Sequence, residues 1–411
     1  MSDANVYKIL IDIGSTILKI AEQYQSSIER SFVTRDMSRP VGEQVLEVIQ
    51  QLKDKNPNAI FRICSSANGG LRVGIISLTT RYSGEVAKRI VLSSGCNLAW
   101  SHSDKNEKIP SEKVDVIVIS GGLTVADSPF QKDWLSSISH KLEDNVPVLY
   151  CGNITHASVL LANKPDAVIL DNILQDDMRI NAAGLSNALK ELYMQDLVQK
   201  DGISMLQPFS EIPIWPTPAI CERSFRGIIE NRTGFHLSPP LLMIDMGGAT
   251  TDVYYGRELI ANLNELNVEA LPVNRFVFSS IGVKSSRDSA LLKLNRYGRL
   301  FDLIQCFSDD EAQRRYAALK DNDLSWIGES EMFYMCFGLV LESLHDGLES
   351  GHPIALNMVS TLIVTGGASK VCDANVLEKI YSLYIRKDGH PSPDIFIDEQ
   401  YEIWNIGIST I

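Results

Sequence analysis

Paired cysteines are missing from this 411-residue chain. Its seven cysteines (Cys64, Cys96, Cys151, Cys221, Cys306, Cys336, Cys372) stand singly, none in a C-x-x-C pair, so neither a disulfide framework nor a zinc site is expected. Most lie in apolar stretches, where a free thiol behaves as a small hydrophobe. Basic charge is also in short supply: 38 Lys and Arg against 51 Asp and Glu give a net charge of -13. A protein that neutralises nucleic-acid phosphates needs the opposite balance. No run approaches the ~18 apolar residues of a membrane-spanning helix. The opening MSDANVYK has no charged segment followed by an apolar one, so no leader peptide is expected and the sequons at Asn153 and Asn231 carry no weight. Neither G-x-x-x-x-G-K-[ST] nor G-x-G-x-x-G occurs, which removes the P-loop and dinucleotide folds. Solenoid-length repeats and low-complexity tracts are absent as well. What remains is a reduced, intracellular, cytoplasmic globular protein. With 45% apolar and 22% charged residues it can bury a substantial core, and its length suits two lobes of roughly 200 residues.

One short pattern is used twice. IDIGSTILKI runs from Ile11 to Ile20, and MIDMGGATTDVYYG from Met243 to Gly256. Each is an apolar strand ending in Asp-x-Gly, a turn of small residues, and a second apolar strand. Such a turn can point backbone N–H groups at an anion, and the Asp before it can hold a metal through water. Around these hairpins, apolar runs alternate with helical patterns, the signature of an α/β protein. Strands are expected at Val6–Ile13, Ile17–Ala21, Phe61–Cys64, Leu71–Ile76, Val114–Ser120, Val146–Cys151 and Ala167–Leu170. Val41, Val45, Val48, Ile49 and Leu52 recur at helical spacing, and Ser83–Ser94 and Leu185–Val198 read as further helices. Pro218 can open a helix reaching about Asn231. Prolines at 213, 216, 218, 239 and 240 break the chain, and the lobe boundary is placed near Ser238, giving lobes 1–238 and 239–411. The second half carries expected strands at Leu241–Asp245, Thr251–Tyr255 and Thr361–Thr365, and helices at Glu329–Leu348 and Val371–Ile385.

The first candidate group is Asp12, Gly14, Ser15, Thr16 and Lys19. Asp12 would face a hydrated Mg²⁺, Gly14 would let backbone approach phosphate, and the hydroxyl residues would donate. A plain hairpin turn uses the same residue types. Lys19 lies past the turn and reads as a solvated surface lysine. The second group, Asp245, Gly247, Gly248, Ala249, Thr250, Thr251 and Asp252, makes a fuller phosphate cradle, again with a simple turn as the alternative. A third, Gly366, Gly367 and Ala368 in LIVTGGAS, would admit a base or ribose, or simply turn a strand into a helix.

Taken in order, Asp-x-Gly, Pro-rich helix, Asp-x-Gly-Gly and Gly-Gly resemble the two-lobed ATPase fold of actin, sugar kinases, acetate kinase and DnaK-type chaperones: mixed sheets flanked by helices, with a nucleotide cleft between the lobes. There the two hairpins grip the phosphates of ATP with Mg²⁺, and the late Gly-Gly turn takes the adenosine. PTPAICERSFRGII resembles that fold's first connecting helix. More narrowly, Cys64–Gly95, Val114–Gly122, Pro147–Asn153, Pro213–Ala219, Ile244–Tyr254 and the closing WNIGIST are similar to the MutL or GlmL family, companions of adenosylcobalamin-dependent glutamate mutase. The first lobe then carries a family-specific insertion. Two stretches depart from the family pattern: Leu123, Thr124 and Val125 replace an acidic turn, and RFVFSSIG from Arg275 keeps little beyond that Arg and Gly282.

The resemblance implies an ATP-dependent chaperone or reactivating factor for such a mutase, turning over Mg-ATP slowly. Asp12 and Asp245 would hold the metal's waters, and Asp245 or Asp252 would orient the attacking water. A metabolic kinase or ATP-coupled ring-opening enzyme on the same fold needs a fixed general base. The histidines (His102, His140, His156, His236, His345, His352, His390) look dispersed and loop-like, offering none. A nucleotide-binding scaffold without turnover is the third reading.

Overall fold

A computed structural model describes residues 6–25, 27–66, 71–94, 96–123, 128–143, 145–199, 202–261, 273–347, 353–385 and 391–411. The chain opens with β1 (Lys8–Ile13), β2 (Ile17–Tyr24) and β3 (Ser27–Thr34), an antiparallel meander. Then come α1 (Val41–Lys55) and β4 (Ile60–Ser65), which returns parallel to β1. The apolar stripe of α1, with Val41, Val45, Ile49 and Leu52 buried, packs on this sheet.

An inserted layer follows, made of β5 (Arg72–Ser77), α2 (Glu85–Ser93), β6 (Asn97–His102), β7 (Val116–Ser120), α3 (Pro129–Ser139), β8 (Val148–Tyr150), α4 (Ala157–Leu161), β9 (Val168–Ile169) and α5 (Ala183–Gln199). Its strands run parallel in the order β6-β5-β7-β8-β9. The short β10 (Trp215–Pro216) then joins β4 and completes the first sheet, β3-β2-β1-β4-β10.

Helix α6 (Thr217–Ile229) leads into the second half: β11 (Leu241–Met246), β12 (Thr251–Gly256), β13 (Val273–Phe278), α7 (Arg287–Leu294), α8 (Leu300–Ser308), α9 (Ala312–Lys320) and α10 (Glu329–Asp346). It closes with β14 (Thr361–Thr365), α11 (Ala374–Tyr381), β15 (Asp394–Ile397) and α12 (Glu402–Ser409). This sheet reads β13-β12-β11-β14-β15, the order and strand directions of the first, with β11 in the place of β1. The duplicated sheet, one copy per half, is the actin-like α/β arrangement.

The halves meet on α6 and α12. One apolar cluster takes Leu10 and Cys64 from the first sheet, Met243, Tyr254 and Ile363 from the second, and Ile220, Phe225 and Trp404 from the two helices. The helices cross closely because Gly407 has no side chain: a Cβ there would sit 2.3 Å from the Ile220 carbonyl oxygen. Ser224 Oγ bonds the Ile403 carbonyl across the crossing.

Several elements differ from the sequence reading. The helix expected over Val371–Ile385 begins only at Ala374, because Asp373 accepts the N–H groups of Asn375 and Val376 and caps it there. β3, β6, β13, α3, α7–α9 and α12 lie where no element was expected. Two of the supposedly loop-like histidines are buried: His102 ends β6, and His156 sits in a 3₁₀ turn. Among the described residues no helix is long and apolar enough to cross a membrane.

Candidate active site: two facing hairpins

The β1–β2 turn is closed by Gly14 N–H donating to the Ile17 carbonyl at 3.0 Å. A Cβ at Gly14 would lie 2.7 Å from that oxygen, so only glycine fits. Arg35 Nη1 holds the carbonyls of Gly14 and Ser15 at 2.8 and 2.9 Å. Asp12 lies beneath, fully buried. Its register partner across the hairpin is Lys19, whose Nζ is 2.8 Å from Asp12 Oδ2. The other oxygen accepts from the Thr217 hydroxyl at the start of α6 and from Cys64 Sγ at 3.6 Å. Lys19 is therefore not solvated: its side chain is 13% exposed. Burial opposes its charge, but Asp12 and Asp245 outweigh burial and hold its pKa above the ordinary lysine value.

The β11–β12 turn repeats this geometry with different charges. Gly247 N–H donates to Thr250 O at 2.9 Å. The carbonyls of Gly247 and Gly248 accept the N–H groups of Val283, Lys284 and Ser285 at 3.2, 2.8 and 2.8 Å, anchoring the turn on the loop after β13. Here the position opposite Asp245 is another acid, Asp252. Like charges facing across a hairpin repel, and Arg275 on β13 relieves the clash. Its Nε and Nη2 donate to Asp252 Oδ1 at 2.9 and 2.6 Å. Asp245 keeps one weak donor among the described residues, Cys221 Sγ at 3.6 Å. Burial pushes its pKa up to about 6; Lys19 pulls it back, while Asp252 and Asp12 add to the rise.

The two turns face each other. A Cβ on Gly248 would lie 3.3 Å from Thr16 Oγ1, so first-half and second-half loops nearly touch. The cleft between them is lined by Gly14, Ser15, Thr16, Lys19, Thr217, Asp245, Gly247, Gly248, Ala249, Thr250, Asp252 and Gly367, around about 70 Å³.

The remaining expected residues sit elsewhere. Strand alternation turns Thr251 inward, where its hydroxyl is spent on the Ile281 carbonyl at 2.9 Å. Asp12 lies under the cleft rather than on its wall. Gly366, at φ +97, supports Asp245 from behind: a Cβ there would meet Asp245 Oδ1 at 2.4 Å. Ala368 is buried, its N–H on the Met246 carbonyl at 3.3 Å.

Lys19 reads as solvated in the sequence, and Thr217, Cys64, Cys221 and Arg275 were not among its site candidates. Counting back from the turn would have found Lys19, since Ile13 opposite Leu18 puts Lys19 opposite Asp12. Tyr401, which donates to the Gly367 carbonyl at 2.8 Å, carries no such signal. Of the two departing stretches, Phe276 and Phe278 pack edge-to-face in the core with ring centroids 4.6 Å apart, so that segment is the wall behind Asp252. The Leu123 carbonyl accepts from Asn153 Nδ2 at 2.8 Å, and Thr124 and Val125 lie outside the described residues.

Among the described residues no three His, Cys, Asp or Glu side chains converge to bind a metal unaided. A Mg²⁺ ion prefers one or two carboxylates plus water and phosphate oxygens. Asp245, with a single weak donor, fits that role. Asp12 fits it only after giving up Lys19 or Thr217.

The family model described as MutL protein matches residues 8–332. The chain belongs to the MutL protein family. Protein MutL of Clostridium tetanomorphum is 25% identical over 265 residues, 60% of this chain and 57% of that protein, so the match spans little more than half of the relative's length. Solved structures with similar folds include nucleotide-free acetone carboxylase (10% identity, 92% of this chain and 67% of that one, TM-score 0.41). The activator of 2-hydroxyisocaproyl-CoA dehydratase from Clostridium difficile with bound ADPNP is another (11%, 98% and 92%, 0.35). A ROK family glucokinase from Streptomyces griseus in complex with glucose and AMPPNP is a third (12%, 98% and 98%, 0.34).

Proposed function

We propose that this MutL-family chain is a slow Mg-ATPase that acts as a chaperone or reactivating factor for an adenosylcobalamin-dependent mutase. The observation that carries the nucleotide reading is the facing pair of Asp-x-Gly hairpins, with Thr16 against Gly248 and Lys19 paired with Asp12 within the electrostatic reach of Asp245. Family membership and the MutL relative support the mutase partner.

Phosphoryl transfer to water asks a protein for positioning and charge stabilisation more than covalent chemistry. N–H groups of Gly14–Thr16 and Gly247–Thr250 would bind phosphoryl oxygens from the two sides. Gly367, between Tyr401 and the end of β14, would receive the ribose or base. Lys19 would shift from Asp12 toward the phosphates, where added negative charge competes for it. Asp252 is committed to Arg275, which leaves Asp245 to orient the attacking water. Mg²⁺ held through Asp245, and through Asp12 once freed, would neutralise charge on the phosphate oxygens.

The cleft's 70 Å³ is well under the roughly 300 Å³ at which small-molecule sites begin, so nucleotide entry requires the hairpins to part. Opening on α6 and α12 would couple nucleotide state to outer surfaces, where the mutase would be felt. The test is phosphate release from Mg-ATP by the purified chain with no added metabolite, with Asp245→Asn as control. Slow release that the variant loses is expected; equal release from both would remove Asp245 from the chemistry.

A further inference from the structure

A second cavity, of about 660 Å³, lies on the far side of α6 from the hairpins. It is walled by α5 of the inserted layer, α6, α12 and the edge strand β13, and its volume falls in the range of metabolite sites. Its charge runs against the chain's. Lys190, Arg223, Arg226, Arg232 and Arg275 line it, with Glu222 as the one lining carboxylate among the described residues.

That carboxylate is divided, 3.5 Å from Arg226 and 4.0 Å from Lys190. Arg223 spends its guanidinium on neutral acceptors, the Thr410 hydroxyl and carbonyl at 3.2 and 3.0 Å. Glu230 and Asp252, which pair with Arg232 and Arg275, are not part of the lining. Trp215 contributes part of its ring to the wall. Five cationic side chains around one cavity, against a single shared carboxylate, call for an acceptor-rich guest.

We propose that this cavity binds a small multivalent organic anion, carboxylate- or phosphate-bearing, and that the anion ties the hinge helices to the inserted layer. Arg223 and Arg226 supply forked donors from α6, Lys190 supplies a point charge from α5, and Trp215 offers a flat apolar wall. Arg275 connects the cavity to the cleft. It lines the one and neutralises Asp252 in the other, so an anion that draws on Arg275 competes with Asp252. Binding stands independently of nucleotide; only its coupling to the cleft rests on the proposed ATPase cycle.

Titration calorimetry of the full, nucleotide-free chain with citrate, and separately with fructose 1,6-bisphosphate, tests the site and distinguishes the two anion types. Saturable one-to-one binding of at least one probe with a Kd below 1 mM is expected. Arg223→Gln with Arg226→Gln should weaken it at least tenfold. Lys190→Gln, an independent change at a side chain 40% exposed, should weaken it severalfold. Thr16→Ala in the cleft should leave it unchanged. No binding of either probe, binding that the arginine variant retains, or binding that Thr16→Ala removes would each overturn the proposal. Failure of ATP turnover in the same preparation would bear on the cleft and leave the anion site standing.

Discussion

Replacing Lys19 by Met would leave the Asp12 carboxylate at a fully buried position without its cation. Removing one partner of a buried ion pair costs about 3–5 kcal/mol, because the other charge stays out of water. Two donors to Asp12 survive, the Thr217 hydroxyl and the Cys64 thiol, which places the expected loss near the lower end, about 3 kcal/mol. Methionine keeps most of the lysine stem's volume, so little of this is packing. Converting both residues, Asp12→Asn with Lys19→Met, removes the stranded charge and should recover most of the loss, giving a coupling of about 2 kcal/mol. Urea denaturation of the four proteins at neutral pH, in EDTA and without nucleotide, measures the cycle. A Lys19→Met protein within 1 kcal/mol of the unchanged chain would mean that Asp12 does not depend on Lys19 for its charge. A double variant that loses the full sum of the single effects would mean the same.

The second hairpin predicts the opposite sign. Asp245 titrates near 6 in the folded chain against 3.8 in the unfolded one, so its ionisation opposes folding increasingly from about pH 4 upward, and the whole cost is present above about pH 6. About 2 units at ~1.4 kcal/mol each set a ceiling near 3 kcal/mol, which residual solvent contact reduces to about 1–3. Asp245→Asn should therefore raise the melting temperature at pH 7.5 and leave it unchanged at pH 3.5; an equal rise at both values would mean that charge is not the cause. Gly14→Ala forces a Cβ against the backbone oxygen of Ile17 and should cost about 1–3 kcal/mol in chemical denaturation. Gly248→Ala presses on Thr16 at 3.3 Å and should leave stability nearly unchanged while weakening nucleotide binding severalfold by calorimetry.

The hairpin positions were legible because an apolar run ending in Asp-x-Gly and a turn of small residues is a local signal. The charges around them were not, because they are set by pairing. Lys19 reads as a surface residue until register puts it opposite Asp12. Asp252 looks like a free acid until β13 brings Arg275, 23 residues later in the chain, against it. Thr251 belongs by sequence to the phosphate turn, yet strand alternation points it away. The inserted strands β5, β7 and β8 were recognisable from their apolar runs, but their assembly into a separate parallel sheet depends on long-range order that no window of sequence contains. Helix α12 shows the same limit: WNIGIST is too short to declare itself, and it forms where Gly407 can press on α6.

If both hairpins grip one nucleotide, calorimetric titration with Mg-AMPPNP will show it. The unchanged chain should bind one equivalent. Asp12→Asn and Asp245→Asn, one in each half, should each lose at least tenfold in affinity, and the double variant should lose less than the product of the two. Binding that survives unchanged in either single variant would contradict a shared site and reduce the facing hairpins to structural turns.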